Sequence, residues 1–235
     1  MRPFDISYRL MSESIWTRVL DHAAPRQMAG TTDFFAKLSS LDGLRRQAEY
    51  NTGSISTASQ WLLYALALYL APRVIVEVGT FIGKSTLALA FGLDAADVEG
   101  EIHTCDASNS MELPCWTRCA VLQYQSCPST RMFEELREDG YEGKVDVLHL
   151  DGRLQTADLE HVNALCAPNA VFVLDDYEGI EKGVANAFAV RGITRFQGYL
   201  TAYPPTDRLL QRFGFLDRST TALMYPSSLL RMTAQ

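Results

Sequence analysis

The stretch Arg73-Val-Ile-Val-Glu-Val-Gly79-Thr-Phe-Ile-Gly83-Lys-Ser-Thr-Leu-Ala-Leu-Ala-Phe-Gly92 decides the fold. Its first half is a β-branched run that closes on glycine, and its second half carries apolar residues at helical spacing before another glycine stops it. A strand therefore passes into a helix through a glycine-bounded loop. The same alternation continues outward. Strands are predicted at Glu101–Asp106, Ala120–Gln125, Val145–Leu150 and Ala170–Leu174, and helices at Ser129–Glu138, Thr156–Cys166 and Glu178–Val190. Segments 195–200 and 220–226 read as strands that finish the sheet. Such alternation, sustained over about 120 residues, is the signature of a parallel sheet with helices on both faces, an open α/β fold.

Residues 1–72 read as helical, with a break at Thr52-Gly-Ser-Ile-Ser56. The apolar run Trp61–Ala71 is a core helix, since a membrane span needs about 20 residues. At 235 residues the chain is long for one domain and short for two, so a helical extension over 1–58 and a main domain over 59–235 are expected. Hydrophobic residues at 47% and charged residues at 21% exclude a disordered chain. The net charge of −7 argues against a nucleic-acid or anionic-membrane binder, which leaves a small molecule as the expected partner. Five cysteines with no framework spacing read as thiols in a reducing compartment, hence a cytoplasmic protein. The start MRPFDISYRL has no apolar core and is not a secretory signal.

Open α/β sheets bind ligands beyond the carboxyl ends of their strands. Gly79-Thr-Phe-Ile-Gly83 follows the first predicted strand, Asp106 ends the second, Asp151-Gly152 follows the fourth and Asp175-Asp176-Tyr177 the fifth. For any one of these acids, capping of the next helix is the structural alternative. The glycine loop departs from two common patterns. A phosphate loop needs a glycine five positions before Gly83, where Val78 stands, although Gly83-Lys84-Ser85 and the acidic Val171-Phe-Val-Leu-Asp175-Asp176 keep a nucleotide-binding enzyme as a rival. A dinucleotide fingerprint needs a glycine where Phe81 stands.

Glu77, Gly79, Thr80, Phe81, Gly83 and Ser85 instead match the E-[VIL]-G-[TAV]-[FY]-x-G-x-S loop. On these residues the chain resembles the class I S-adenosylmethionine-dependent methyltransferases, and most the small-molecule O-methyltransferase branch of macrocin-type sugar and catechol-type enzymes. The resemblance runs from about residue 55 to 200. It implies a Rossmann-like seven-stranded sheet, mostly parallel with an antiparallel last strand, plus the N-terminal helical extension. It implies S-adenosylmethionine bound by the six loop residues together with Asp106 at the ribose and Asp151. It further implies a magnesium ion on Asp151, Asp175 and Asp176, and transfer of a methyl group to a hydroxyl of a small acceptor, with a homodimer as a possible assembly.

One position departs from that pattern. Macrocin-type relatives read D-G-D after strand four, where the second acid is a candidate base, and here the stretch is Asp151-Gly152-Arg153. Asp151, Arg153 and His149 are the catalytic candidates, His149 because it shares a strand face with Asp151, with a satisfied core histidine as its alternative. Arg153 could instead bind an anionic group of the acceptor. Glu178 and Lys182 could reach the substrate from the next helix or simply face solvent. Trp16, Phe34, Phe35 and Tyr50, with the loop Tyr199–Asp207, are expected to cover the acceptor site or to pack in the core. A scaffold or regulatory protein that binds the cofactor without turnover is the non-enzymatic alternative.

Overall fold

The computed structural model describes the backbone of residues 3–47, 54–107 and 112–230, and the side chains of 12–25, 33–44, 54–107 and 112–229. Seven strands form one sheet: β1 (Val74–Val78), β2 (Glu101–Asp106), β3 (Ala120–Gln125), β4 (Val145–Leu150), β5 (Cys166–Leu174), β6 (Leu200–Ala202) and β7 (Ala222–Tyr225). Their spatial order is β3-β2-β1-β4-β5-β7-β6. The first five pair in parallel, whereas β7 runs antiparallel between β5 and β6. The chain leaves β1 toward β2 and β3 and returns to β4 on the other side of β1, so the strand order reverses between β1 and β4. In such sheets the crevice at that reversal is the ligand site.

Alternation along the strands sorts the core into two layers. On β1, Ile75 packs with the layer that contains α2 (Thr57–Leu70) and α3 (Lys84–Ala96), while Val74, Val76 and Val78 face the opposite layer. That second layer holds α4 (Ser129–Glu138), α5 (Asp158–Leu165) and α6 (Gly183–Gly192), through Met132, Phe133, Val162 and Val190 among others. Ser56 caps α2, its side chain accepting from the Ser59 amide at 3.1 Å, as a serine before an apolar helix does.

The N-terminal helix α1 (Pro3–Ser40) is built into the first layer. Ile15, Trp16, Val19, Leu20 and Leu38 are buried there, and the Trp16 indole donates to the Tyr203 carbonyl beyond β6 at 2.8 Å. Phe34 meets Trp61 edge-to-face and Phe35 lies tilted against it. The boundary expected at residue 58 falls in the first turn of α2. Trp16, Phe34 and Phe35 therefore serve packing and do not line the cleft described below, while Tyr50 lies outside the described residues.

Several predicted boundaries moved: α3 runs through Gly92 to Ala96, α5 is confined to Asp158–Leu165 and β7 to Ala222–Tyr225. The helix predicted from Glu178 begins at Gly183, because residues 176–182 are folded back as turns: a Cβ on Gly183 would stand 2.4 Å from the Asp175 carbonyl, so only glycine lets the chain approach β5 so closely. Residues 194–196 form a single 3-10 turn that sends Phe196 into the core against Phe172, so β6 begins only at Leu200. β5 starts at Cys166, ahead of the predicted Ala170. All five cysteines are free thiols, four of them buried. No helix among the described residues is long and apolar enough to cross a membrane.

Candidate active site

A cleft of about 670 Å³ opens at the carboxyl ends of β1, β2, β4 and β5, centred on the reversal of strand order. Gly79 forms its floor. Its φ is +103°, and a Cβ there would lie 2.8 Å from the Gly152 amide nitrogen and 3.0 Å from the Asp151 carbonyl carbon, so the position is closed to any side chain. The loops after β1 and β4 are tied together at this point, with the amides of Asp151 and Gly152 both donating to the Val78 carbonyl at 3.0 and 2.6 Å. On the β2 side the amides of Gly79 and Thr80 donate to the Cys105 carbonyl. Asp106 lines the cleft and accepts from the Phe81 amide at 2.9 Å. Phe81 (φ 45°) and Asp176 (φ 49°) both sit in the left-handed region, which is unusual for a bulky residue and occurs chiefly where surrounding structure enforces it.

Opposite Asp106 lies a cluster of charge. Lys182 Nζ stands 2.9 Å from Asp176 Oδ2 and 3.3 Å from Asp151 Oδ1. Asp175 is buried, and the hydroxyls of Thr220 and Thr221 lie 3.1 and 3.0 Å from its Oδ1. Burial, with the Asp175 charge added, pushes the Asp151 carboxyl up to about 6 against the opposing pull of Lys182 and His149. Burial alone would lower the Lys182 ammonium, but Asp151 and Asp176 hold it above its ordinary value. Neither Asp175 nor Asp176 caps α6, whose N-cap is Lys182 itself. Asn186 on α6 holds the loop after β4, accepting from the Leu154 amide at 3.0 Å and donating to the Gly152 carbonyl at 2.9 Å. Arg153 reaches the rim exposed and makes no hydrogen bond or ion pair with the described residues.

Of the residues singled out in the sequence, the cleft brings together Gly79, Phe81, Asp106, Asp151, Arg153, Asp175, Asp176 and Lys182. It leaves out Glu77, Thr80, Gly83, Ser85 and His149. Glu77 and His149 are fully buried beneath it and form an ion pair, Nδ1 to Oε1, at 2.9 Å. Burial alone would raise the Glu77 carboxyl, yet His149 and the hydroxyls of Thr104 and Thr86 hold it below the usual range. The same pair holds the His149 imidazole above its ordinary value despite burial. Thr80 meets Thr104 at 2.5 Å, and Ser85 is buried in the first turn of α3. Gly83 is the N-cap of α3, with Leu113 packed where a Cβ would stand. Lys84, which would serve a phosphate loop, is buried against Asp42 at 3.0 Å, away from the cleft. Sequence reasoning missed Ser54–Ser56, Asn186, Arg218 and Thr220, which reach the site from outside the strand ends. Only the N-cap pattern at Ser56 carried a local signal.

Residues 76–177 match a family described as a methyltransferase domain. The comparison with curated proteins gave no match. Among solved structures, an O-methyltransferase from Bacillus cereus in complex with SAH is similar over 80% of this chain and 89% of its own, at 19% identity and a TM-score of 0.55. The O-methyltransferase TomG from Streptomyces achromogenes, involved in tomaymycin synthesis and solved with SAM, is similar over 81% and 89%, at 18% identity and a TM-score of 0.53. At such identities the likeness speaks for the fold, and the family match falls on the segment that carries the glycine loop and all three acidic strand ends. Residues 76–177 thus resemble a methyltransferase domain, and the chain has the fold of the O-methyltransferases to which it is similar.

Proposed function

We propose that this methyltransferase transfers a methyl group from S-adenosylmethionine to a hydroxyl of a small acceptor. The observation that carries the reading is the cleft itself: an open glycine floor at Gly79, with Asp106 on one side and the Asp151, Asp175, Asp176 cluster on the other. The residues fit the cofactor. Gly79 lets the backbone approach it, and the Asp106 carboxylate stands where a strand-end acid accepts hydrogen bonds from ribose hydroxyls. Asp151 faces the same cavity. When bound, S-adenosylmethionine supplies a methyl group on a sulfonium, which passes to the acceptor oxygen as the hydroxyl loses its proton.

The protein has then to align the acceptor and to take up that proton. Holding two reactants in line is worth on the order of 7 kcal/mol in good cases. A carboxylate whose pKa is pushed up to about 6 is matched to accepting a proton near neutral pH, and Asp151 is the group in the cleft so tuned. Arg153, exposed on the rim, is placed to contact an anionic group of the acceptor. His149 is too deeply buried to touch a substrate, and its part is to hold Glu77 under the loop.

The magnesium expected on Asp151, Asp175 and Asp176 does not fit the donor set as it is folded. Lys182 stands between two of the three carboxylates, and two hydroxyls engage the third. No group of three histidine, cysteine or acidic side chains among the described residues is arranged to hold an ion. No step above is assigned to a metal. The buried thiols favour the reducing cytoplasm, and the exposed Ile180 and Phe188 favour a homodimer, which sedimentation would decide.

Calorimetry with S-adenosylhomocysteine and with ATP tests the reading. Binding of the first and not the second is expected. The reverse result would return the nucleotide-binding rival, and cofactor binding without turnover on any of a panel of sugar and catechol acceptors would favour a scaffold or regulatory role.

A further inference from the structure

We propose that Lys182 is the built-in cation of the acceptor site, taking the place between the carboxylates of Asp151 and Asp176 that a divalent ion would otherwise fill. The inference rests on the methyltransferase reading above for the site's purpose, but its geometry stands independently. The lysine ammonium bridges two carboxylates from different strand ends, at 3.3 Å from Asp151 on the β4 side and 2.9 Å from Asp176 on the β5 side. A charge on a flexible stem swings away from such a position unless the backbone that carries it is held. It is held by a constructed turn. Asp176 adopts φ 49°, Gly179 donates to the Asp176 carbonyl at 3.1 Å, and Gly183 packs against the backbones of Asp175 and Tyr177 with no room for a Cβ. The Tyr177 amide is pinned in turn to the Thr220 carbonyl at 3.0 Å. These contacts bring residue 182 over the cluster and make it the N-cap of α6.

The third carboxylate points to the same conclusion. A magnesium ion demands near-octahedral oxygen ligands and is normally met by carboxylates left open toward it. Asp175 is committed instead to Thr220 and Thr221, and Thr221 continues through a 3.0 Å contact to Ser59 in α2. The cluster is thus divided between a hydroxyl network on one side and an ammonium on the other. An ammonium on a turn whose backbone is held this way lies between two acids and contacts Asp151, but it offers no open coordination position for paired acceptor hydroxyls. Acceptors with a single hydroxyl are therefore served as well as vicinal diols. Lys182 acts as a positioning residue, through Asp151.

Manganese titration followed by electron paramagnetic resonance reads this directly, with S-adenosylhomocysteine calorimetry and a thermal melt run on the same samples. The wild type is expected to take up no manganese at sub-millimolar concentration. Lys182→Met should gain a site at least about tenfold tighter, because two carboxylates then lack their counter-charge, while Lys182→Arg should behave as the wild type. S-adenosylhomocysteine affinity should stay within about twofold in all three, since Lys182 lies on the acceptor side. Stoichiometric manganese binding by the wild type would overturn the proposal, as would a folded Lys182→Met that takes up none. Loss of S-adenosylhomocysteine binding by the wild type would instead count against the methyltransferase reading and leave the manganese result to judge Lys182.

Discussion

Two acid–cation clusters lie one step apart on β4, and the sheet uses them in opposite ways. His149 pairs with Glu77 beneath the loop, and Asp151, two residues further along the same face, pairs with Lys182 above it. In the lower cluster every acidic oxygen is met: His149 takes one and the hydroxyls of Thr86 and Thr104 the other, so the carboxylate stays charged although it is sealed from water. In the upper cluster burial and the neighbouring Asp175 outweigh the lysine, and Asp151 rises to about 6. Burial makes an acid a structural fixture where its hydrogen bonds are complete, and a proton acceptor where they are not.

The comparison breaks most sharply at Glu77. Glu77→Ala would leave His149 buried without its partner and strand the Thr86 hydroxyl, Thr104 keeping its contact with Thr80, which costs about 3–5 kcal/mol. A thermal melt should show Tm lower by about 6–15 °C for a chain of this size, with S-adenosylhomocysteine affinity nearly unchanged in the fraction that remains folded. An affinity loss out of proportion to the melting shift would mean that Glu77 touches the cofactor after all. Asp106→Ala should do the converse. Removing a charged acceptor of hydrogen bonds is worth about 1.5–3 kcal/mol, which calorimetry would read as binding weakened about 10–150-fold, while the ligand-free melt falls by a few degrees because the Phe81 amide loses its acceptor. Unchanged affinity would remove Asp106 from the ribose.

Strands β2, β3 and β4 and helix α4 stand on the residues where the sequence placed them, because each is a single apolar or amphipathic run between turn signals. The glycine loop and the acidic strand ends were legible for the same reason: topology alone brings strand ends together. What local pattern could not show was which loop residues point up and which down. Glu77, Thr80 and Ser85 share a motif with Gly79 and Phe81, yet only the latter two line the cleft. Nor could it show Lys182 crossing to Asp151, a contact 31 residues away that depends on a tight turn and on the close approach of Gly183. The N-terminal aromatics were readable as apolar but not as core, since their partners, Trp61, Phe91 and Phe215, come from three other segments.

Asp151→Asn removes an acid whose folded pKa, about 6, lies above its unfolded value near 3.9. For such a group the stability is fully present below pH 4 and is lost as pH rises through 6. Between those limits the wild type should lose on the order of 2 kcal/mol that the asparagine variant keeps. The pull of Lys182 is already contained in that value, so the asparagine variant should be more stable at pH 7.5 by about 2 kcal/mol, while methyl transfer collapses. Chemical denaturation at pH 4.5 and 7.5 measures it. A variant less stable than the wild type at pH 7.5 would place Asp151 with Glu77, as a structural acid.

The smallest effect is expected at Arg153, and it separates recognition from chemistry. The guanidinium lies exposed on the rim, with no partner among the described residues, so nothing in the fold depends on it and Arg153→Ala should leave the melt unmoved. Its charge is nevertheless the natural contact for an acceptor that carries a carboxylate or phosphate, and a planar guanidinium discriminates such groups better than an ammonium does. With an anionic acceptor the variant should raise KM about threefold to tenfold at constant kcat, an effect on ground-state binding alone. With a neutral acceptor it should do nothing. A fall in kcat would instead put Arg153 against the reacting centre and would shift the proton acceptor away from Asp151.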